Sequence, residues 1–587
     1  MNRILFSAAM LLCSLALPAQ ENIYNAIPLM VGEPYLQNIT SEGVTIMYQT
    51  IEPCHQWVEF GTDSTKMEMR RALLGGQEIC HDRLGKVRLE GLQAGTKYYY
   101  RVCCRKFLKN KTYSKEFGEQ QNTRCYSFQL PREDEKNLRV LILNDLHLNG
   151  SSSLPEALKV TKGWKYDMVV MNGDCLTEPQ SLDDAILRVH TLTSAFNGAE
   201  IPILFVRDNH EIRGAYSSGL PLLLDNPGGK TYGAFSWGET RFMVLDCGED
   251  KPDDHREYFG LNDFTSFREE QVPFIQQELK SKEFRKAKTR IMLSHVPLWG
   301  DGDSYHPCTD LWAPLLKKAP IDVSITGHFH RLFMYEKGEK DGNPFPLLIA
   351  SKPMSTLLVK EGPELRLEIW DGEGCHIRTW WLKGPKAKEK TTVKNVVVFG
   401  NSITKHGIAK DLWWGEWGMA ATTREKDFCH LLQKRLGKDA KVEAVNVGGW
   451  ERDLNSSLDE FFGKYITPET DAIVVRLGEN VTKPELLEEK ADEMLAYLQS
   501  KTKAKIIMTG NFWKNGVKEK ALHHAAAKHG IPFLRLDDLD RDTYKEKMGG
   551  KVAGDDGQIH EIIHEGVAAH PNDKAMEEIA RRIYQLF

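Results

Sequence analysis

Seven residues in the middle of the sequence have side chains that commonly bind metal ions, and each follows a short apolar run. Their oxygen and imidazole-nitrogen atoms suit divalent manganese, zinc or iron without choosing among them. Two such ions, roughly 3.5–4 Å apart, can share one carboxylate and together activate a phosphate ester for hydrolysis. The pattern therefore predicts a dinuclear metal site for phosphoester hydrolysis. The seven residues are Asp145, His147, Asp174, Asn209, His295, His328 and His330.

The apolar runs that precede these residues are predicted β-strands. Because ligands converge where the strands of an α/β layer fold end, we expect the seven side chains to meet. Strands alternate with amphipathic helices as far as Leu382, which predicts an α/β domain over 135–383. The five strands are 141–143, 168–171, 203–206, 291–293 and 323–325.

The order of these motifs, D-x-H, G-D, N-H-E, H and G-H-x-H, resembles that of the calcineurin-like metallophosphoesterases. The resemblance implies an α/β/β/α sandwich over 135–383 and a role for each residue. Asp174 would bridge two metal ions, and His210 would be the acid that polarises the phosphate or protonates the leaving oxygen. The other six would divide between the ions, with Asp145, His147 and His330 on the first and Asn209, His295 and His328 on the second.

Three positions depart from the patterns of related enzymes. The family usually has glycine where Asp208 stands. Aspartate tolerates a positive φ better than most residues, but an extra carboxylate near the site could reduce activity. Thr177 stands where the purple acid phosphatases have the tyrosine that binds ferric iron, and His147 stands where they have glycine. The sequence therefore predicts a site of the non-purple type with two divalent ions.

A second set of reactive residues lies near the C-terminus. Ser402 follows a predicted buried strand over 396–399, Asn480 ends a G-x-N segment, and His570 precedes a predicted helix. These blocks resemble those of the SGNH (GDSL-type) hydrolases. The resemblance implies that Ser402 is the nucleophile of acyl transfer, that His570 is its base and that Asn480 donates to the oxyanion.

The acid of the usual Ser-His-Asp triad is missing from its expected position. These enzymes place aspartate three residues before the histidine, where this sequence has Val567. Glu565, Asp555 or Asp556 could substitute, or the domain could use a Ser–His dyad. The alternative is an inactive SGNH-like domain that serves for binding or packing.

The flanking regions predict a multidomain chain. Apolar strands separated by turns predict a β-sandwich over 27–130, which resembles the fibronectin-type-III-like N-terminal domain of purple acid phosphatases. The lysine-rich segment 384–392 is a predicted linker. Strand and helix alternate over 393–587, and the SGNH resemblance implies an α/β flavodoxin-like domain there.

Residues 1–19 have the charged start, short apolar stretch and small-residue exit of a secretory signal peptide. We therefore expect a secreted protein, periplasmic or extracellular. No later segment approaches the length of a membrane-spanning helix. The formal net charge of −5 argues against a nucleic-acid partner. Export permits disulfide bonds, and the candidate pairs are Cys54 with Cys80, and Cys125 with Cys103 or Cys104, but we expect most of the cysteines to be lone buried thiols.

Together these patterns predict a secreted, metal-dependent phosphomonoesterase or phosphodiesterase fused to a serine esterase. The expected substrate is a phosphorylated small molecule or an extracellular glycan that carries phosphate and acyl groups. One alternative keeps the phosphatase and makes the C-terminal domain a glycan-binding or scaffold module. Another is a phosphohydrolase that scavenges nucleotides. The sequence does not determine the oligomeric state.

Overall fold

The computed structural model of the protein describes residues 25–148, 151–300, 306–384 and 393–587. The predicted signal peptide and residues 385–392 of the predicted linker lie outside the described residues. The described residues divide into two compact units, one of those up to Leu367 with Trp381–Gly384, the other of Glu368–Trp380 and those from 393 on. No helix in the described ranges is both long and apolar enough to cross a membrane.

The N-terminal part of the first unit consists of antiparallel strands in two main sheets. In one, Gly43–Thr50 lies between Met30–Gln37 and Leu84–Glu90. The other is centred on Lys97–Lys111, which pairs with Cys54–Asp63. The strands predicted here from the sequence, 44–48, 57–60, 87–89 and 98–102, all lie within these elements, and the fibronectin-type-III-like fold stays a prediction. The shorter strands are Lys66–Arg70, Leu73–Leu74, Gln77–Glu78, Ser114–Phe117, Gln121–Asn122 and Tyr126–Gln129.

Two further sheets follow in the first unit. The first sheet contains, in spatial order, Ile203–Val206, Met168–Asn172, Leu138–Leu143 and Ser355–Glu361, of which the first three are parallel. The second sheet has the order Gly233–Trp237, Thr240–Val244, Thr289–Leu293, Val323–Thr326, Leu347–Ala350 and Leu332–Tyr335. Its four inner strands are parallel. The central strands are buried apolar runs, as expected of parallel sheets with both faces covered. Two more strands, Glu364–Trp370 and His376–Lys383, have residues in both units.

The helices of the first unit begin at polar caps that satisfy their free backbone N–H groups. Ser181 accepts a hydrogen bond from the backbone of Asp184 in the helix Leu182–Ala195, and Asp263 caps Phe264–Lys280 in the same way. These caps determine the residues at which the two helices begin. The remaining helices are Leu154–Thr161, Lys282–Lys286 and Pro307–Leu316.

The second unit contains a five-stranded sheet in which every pair is parallel. In chain order the strands are Asn395–Gly400, Lys441–Asn446, Ala472–Arg476, Lys505–Thr509 and Phe533–Leu534, and their spatial order is second, first, third, fourth, fifth. This is a common order of doubly wound sheets. A hairpin joins Lys551–Ala553 to Ile559–Glu561. The helices are Phe428–Leu436, Gly448–Arg452, Leu458–Phe461, Leu487–Lys501, Gly516–Lys528, Glu565–Ala568 and Asp573–Tyr584.

The cysteines pair differently from the sequence-based expectation. Cys247 and Cys308 form a disulfide across 61 residues of chain. The candidate pairs are wrong, because all five of those cysteines are free. Cys54, for example, lies buried on a strand whose neighbour across the sheet is Lys106, and Cys80 Sγ lies 3.6 Å from Glu78 Oε1.

Candidate metal centre and candidate acyl site

The predicted metal ligands lie just beyond the carboxyl ends of five strands. Leu138–Leu143, Met168–Asn172 and Ile203–Val206 are parallel neighbours in the first sheet, and Thr289–Leu293 and Val323–Thr326 are parallel neighbours in the second. Parallel neighbours end at the same edge of a sheet, so the loops that follow them meet. Each loop contributes one or two of the predicted ligands.

Three groups of these side chains each bring their potential ligand atoms within 4.8 Å of one another. Asp174 belongs to two of the groups, which is the arrangement that a bridging carboxylate requires. His210 joins one group although the sequence places it outside the ligand set. The groups are Asp145, His147 and His330; His147, Asp174 and His210; and Asp174, His295 and His328.

Polar atoms at the centre of this cluster lack hydrogen-bond partners within the described chain. Asp145 Oδ1 lies 3.2 Å from His330 Nε2, and His295 Nε2 lies 3.3 Å from Asp174 Oδ2. Asp145 Oδ1 and His295 Nε2 are buried and make no hydrogen bond there. Burial alone would raise the pKa of Asp145, but His295 and His330 hold it well below its usual range. Buried unpaired polar groups are costly, so this donor set fits divalent cations.

Five of the seven predicted ligands have a left-handed backbone, which non-glycine residues adopt rarely and at a cost. Such strain concentrates at functional sites, where the surrounding structure imposes it. The glycine before Asp174 is required sterically, because a Cβ at Gly173 would lie 2.4 Å from His295 Cγ. The left-handed residues are Asp145 (φ 54°), His147 (φ 44°), Asp174 (φ 53°), His328 (φ 75°) and His330 (φ 51°).

Asn209 reaches the cluster through hydrogen bonds. With its amide oriented to satisfy its neighbours, Asn209 Nδ2 lies 3.3 Å from Asp174 Oδ1 and 2.5 Å from Asp208 Oδ2, and its oxygen accepts from Arg213. Asp208 is buried, with Oδ2 3.9 Å from His295 Nε2. It is not among the described residues with positive φ, so tolerance of a left-handed backbone does not explain aspartate here.

Glu211, the last residue of the N-H-E motif, holds the loop that follows the strand Met168–Asn172. Its carboxylate accepts hydrogen bonds from the backbone N–H groups of Asp174 (3.0 Å), Cys175 (2.7 Å), Leu176 (2.8 Å) and Asp208 (3.0 Å). A buried carboxylate with this many donors fixes its loop. The motif itself is the sequence signal for this role.

His210 sits at the edge of the cluster in a fixed orientation. Its backbone N–H donates to Asp174 Oδ1 (3.0 Å), and its Nε2 lies 3.9 Å from Asp174 Oδ2. On the other side of the ring, Nδ1 lies 3.1 Å from Glu178 Oε1. No sequence motif points to Glu178, because its contact with His210 depends on how two separate loops pack.

Arg213 is a second residue that the sequence analysis missed. Its Nη1 lies 3.5 Å from His210 Nε2. Its other nitrogens donate to Glu249 (3.1 and 2.7 Å) and to Asp250 (3.0 Å). A guanidinium held in this way is ordered before an anion arrives. The nearby N-H-E motif is the only sequence signal that could have drawn attention to it.

A cavity of ≈340 Å³ adjoins the cluster. His328 and Asp250 line it on one side, and Trp299 and Phe329 supply aromatic surface. Asp310, at the start of the helix Pro307–Leu316, adds a carboxylate to the lining. The cavity is large enough to hold the group attached to a phosphate.

In the second unit, the structure brings Ser402 and His570 into direct contact. Ser402 Oγ donates to His570 Nε2 at 2.9 Å, and His570 Nδ1 donates to the carbonyl oxygen of Gly566 at 2.6 Å. Ser402, His570 and Asn480 line one cavity of ≈280 Å³. Burial lowers the pKa of His570 to about 4, although the Gly566 carbonyl opposes this shift. The neutral imidazole can therefore accept the serine proton.

None of the three carboxylates considered for the triad reaches His570. Asp555 accepts from Arg424 and from the backbone of Glu416, and Asp556 contacts His560. Glu565 is exposed in the short helix that precedes His570. The triad hypothesis is therefore wrong for these residues, because the Gly566 carbonyl occupies the position of the acid. The Ser–His dyad remains.

Asn480 is held by a buried carboxylate. Glu451 Oε2 accepts from Asn480 Nδ2 (2.7 Å), and Glu451 Oε1 accepts from the backbone N–H of Gly478 (2.6 Å). Asn401, which directly precedes Ser402, donates to Glu451 (3.2 Å) and to Glu479 (2.6 Å). Burial, then the charge of Glu479, raises the pKa of Glu451. This network sets the position of the predicted oxyanion donor.

The tryptophans after Ser402 belong mainly to the core. Trp413 and Trp417 are buried and pack edge to face, with ring centroids 5.7 Å apart. Trp414 is half-buried and stacks on His560. Core packing therefore accounts for Trp413 and Trp417.

The model of the calcineurin-like phosphoesterase family matches residues 138–332. No curated protein matches the chain. The matched segment contains all of the predicted metal ligands. The match therefore describes a domain of the metallophosphoesterase type within the chain, and this domain has His and Asp groups suited to divalent metals.

Solved structures are similar to the chain only at low levels. A purple acid phosphatase from yellow lupin (Lupinus luteus) seeds is 15% identical over 59% of this chain and 73% of its own, with a TM-score of 0.44. PhoD is 13% identical over 57% and 85%, with a TM-score of 0.42. A family two carbohydrate esterase from Cellvibrio japonicus is 16% identical over 42% and 76%, with a TM-score of 0.21.

Proposed function

We propose that this chain is a secreted enzyme with two activities, a phosphoesterase that uses two divalent metal ions and a serine esterase. The observation that carries the first is the cluster around Asp145 and His295, whose buried polar atoms lack hydrogen-bond partners in the described chain. The second is supported by the hydrogen bond of 2.9 Å from Ser402 to His570. An extracellular glycan that carries phosphate and acyl groups would give both activities a substrate.

At the metal centre, we assign Asp145, His147 and His330 to one ion, Asn209, His295 and His328 to the other, and Asp174 to both. Bound there, the two ions would neutralise the charge of the phosphate and activate the attacking water. Proton transfer and contact with the phosphate oxygens are the roles of side chains at the edge of the cluster.

His210 acts as the acid. A proton on its Nε2 passes to the leaving oxygen as the phosphorus–oxygen bond breaks, and Glu178 holds the ring from Nδ1 at 3.1 Å. Arg213 Nη1 lies 3.5 Å from the same nitrogen, so one phosphate oxygen can contact both side chains. The cavity beside His328 would hold the leaving group, and its aromatic lining suits a sugar ring.

At the acyl site, Ser402 Oγ attacks the acyl carbonyl carbon and its proton passes to His570 Nε2. The negative charge that forms on the carbonyl oxygen faces Asn480. The carbon–oxygen bond to the alcohol then breaks, and the alcohol oxygen takes the proton from His570. Water adds to the acyl-serine while His570 accepts its proton, and release of the acid returns the proton to Ser402. The Gly566 carbonyl keeps His570 Nδ1 protonated throughout.

An assay on three substrates tests the proposal. The full-length protein is incubated with p-nitrophenyl phosphate, bis(p-nitrophenyl) phosphate and p-nitrophenyl acetate, before and after extensive chelation. We expect chelation to stop phosphoester hydrolysis and to leave acetate release unchanged. Full phosphatase activity after chelation would contradict the metal centre. Absence of acetate release from metal-loaded protein would favour a glycan-binding module.

Export is a separate part of the proposal and rests on residues 1–19. The expected mature chain begins close after Ala19. Mass spectrometry of the N-terminal peptide from the culture medium or the periplasm measures this directly. An intact Met1 on protein inside the cell would contradict it.

A further inference from the structure

The described wall of the acyl cavity has an arginine and no carboxylate to balance it. Arg452, His406 and His564 line it beside the reactive Ser402 and His570. Among the described residues that line it there is no aspartate or glutamate. The cavity at the metal centre differs, because Glu249, Asp250, Asp310 and Asp341 all contribute to its wall.

Arg452 is the permanent charge in this wall. It is exposed and makes no side-chain hydrogen bond or ion pair with another described residue. Other arginines of the same unit are paired: Arg424 contacts Asp555 and Arg535 contacts Asp537, each at 2.9 Å. An unpaired guanidinium at a reactive cavity is available to a ligand, and its fork of N–H donors suits carboxylate and other oxoanions.

The fold holds Arg452 at the cavity through its neighbour. Arg452 ends the helix Gly448–Arg452, and Glu451 precedes it on the buried side. Glu451 is tied to Asn480 and to Gly478, so the short helix cannot rotate without breaking these hydrogen bonds. The element that positions the predicted oxyanion donor therefore also positions the arginine.

The two histidines add one hydrogen-bond donor and one hydrogen-bond acceptor. His564 Nδ1 accepts from the backbone N–H of Gly566 (3.0 Å), which leaves its proton on Nε2. His406 Nδ1 lies 2.6 Å from the carbonyl oxygen of Gly407, so its Nδ1 carries the proton and its Nε2 stays free. The wall can therefore bind an anion at Arg452 and hydroxyl groups at the histidines.

We propose that the acyl site selects acyl esters of negatively charged sugars, with the acid group of the sugar paired to Arg452. This inference rests on the proposed esterase function and names its substrate class. The volume of ≈280 Å³ is at the small end of ligand pockets, about 300–1,000 Å³, which favours a short acyl group on one sugar residue. A carboxylate or a sulfate on the sugar would supply the charge.

The test compares matched acetyl esters. Methyl glucoside, its 6-sulfate and methyl glucuronoside each carry one acetyl group at the same position, and acetate release gives kcat/KM. We expect the wild-type protein to favour the anionic esters by about 10- to 100-fold, the range for a hydrogen-bonded charge pair. If the protein prefers the glucuronoside alone, its substrates are esters of uronic acids. If it prefers the sulfate equally, the site accepts oxoanions in general. Both outcomes support the proposal.

Arg452→Gln removes the charge and should abolish the preference, because kcat/KM for the anionic esters falls to the value for the neutral ester. Arg452→Lys should retain part of the preference. Lys483→Gln is the matched control, because Lys483 is an exposed cation that does not line the cavity. Equal kcat/KM for neutral and anionic esters in the wild type would overturn the inference, as would an equal loss on all esters in Arg452→Gln.

A binding experiment separates this inference from the esterase function. Calorimetric titration of the Ser402→Ala protein with methyl glucuronoside and methyl glucoside measures recognition without turnover. Preferential binding of the glucuronoside that is lost with Arg452→Gln supports the anion site even if p-nitrophenyl acetate is not hydrolysed. Hydrolysis without any such preference would refute the anion site and leave the esterase standing.

Discussion

The two reactive centres use buried carboxylates in opposite ways. At the metal centre, Asp145 and Asp174 face histidine nitrogens across 3.2–3.3 Å. At the acyl site, Glu451 is just as buried, but its oxygens are taken up by Asn480, Gly478 and Asn401. Asp145 and Asp174 therefore retain negative charge that can bind cations. Glu451 instead holds a loop in place.

This difference shows that the hydrogen-bond donors around a buried carboxylate decide its role. Glu211 belongs to the metal-binding unit, yet it behaves as Glu451 does, because backbone N–H groups occupy its oxygens. Glu211 directly follows His210 in the chain. Glu451 accepts a hydrogen bond from Asn480. Both centres thus depend on a structural carboxylate behind the reactive residues.

The largest expected effect separates the two centres completely. Ser402→Ala removes the nucleophile, and acetate release should fall by about 10⁴-fold or more, as for other serine nucleophiles. Phosphate release should not change, because no residue is shared between the two sites. Parallel assays on p-nitrophenyl acetate and p-nitrophenyl phosphate measure this. Loss of both activities would mean that the centres are coupled.

Asp174→Ala is the reciprocal change. Loss of the bridging carboxylate should lower phosphoester hydrolysis by about 10³-fold, because stabilisation by the metals is worth several kcal/mol. The bound metal per chain, measured by elemental analysis, should fall at the same time. Acetate release is the internal control for folding. A variant with wild-type metal content and activity would refute the bridging role.

Glu451→Gln tests the structural carboxylate of the acyl site. The amide cannot accept from both Asn480 and Gly478 as the carboxylate does, so the oxyanion donor loses its position. We expect kcat for acetate release to fall by about 10- to 100-fold, somewhat less than for loss of the donor itself, with KM little changed. Glu460→Gln, an exposed glutamate in the next helix, is the control. A change confined to KM or to the melting temperature would argue against positioning.

Arg213→Gln tests the guanidinium beside His210. Removal of one charge-assisted contact should raise the inhibition constant for inorganic phosphate by about 10-fold. Arg132→Gln, which removes an exposed arginine paired with Glu135 at 3.2 Å, serves as the control. An unchanged inhibition constant would place Arg213 in a structural role with Glu249 and Asp250.

The smallest effect concerns pH. Because burial lowers the pKa of His570 to about 4, the residue stays neutral well below the ordinary histidine value of about 6.5. Between pH 4 and pH 6.5, His570 binds a proton in the unfolded chain but not in the folded one. His570 therefore makes its full contribution to the free energy of unfolding above pH 6.5, and this contribution declines as the pH falls toward 4. Acetate release should vary by less than about twofold between pH 7 and pH 5. A half-maximal rate near pH 6.5 would contradict this.

The sequence by itself was sufficient for the local features of both centres. Apolar runs predict the strands, and the polar residues after them predict which side chains meet, because parallel strands bring their ends together. The structure places Asp145, Asp174 and His295 in one cluster, and Ser402, Asn480 and His570 around one cavity. The domain boundaries and ligand roles remain predictions.

Only the tertiary structure decided which atoms support these residues. The sequence offered three carboxylates for His570, and the fold supplies the Gly566 carbonyl instead. The sequence likewise did not predict the contact of Glu178 with His210 or the disulfide between Cys247 and Cys308. Such partners come from segments separated in the chain, and their contacts depend on loop packing to within an ångström. Strand patterns and motif spacing carry no information at that scale.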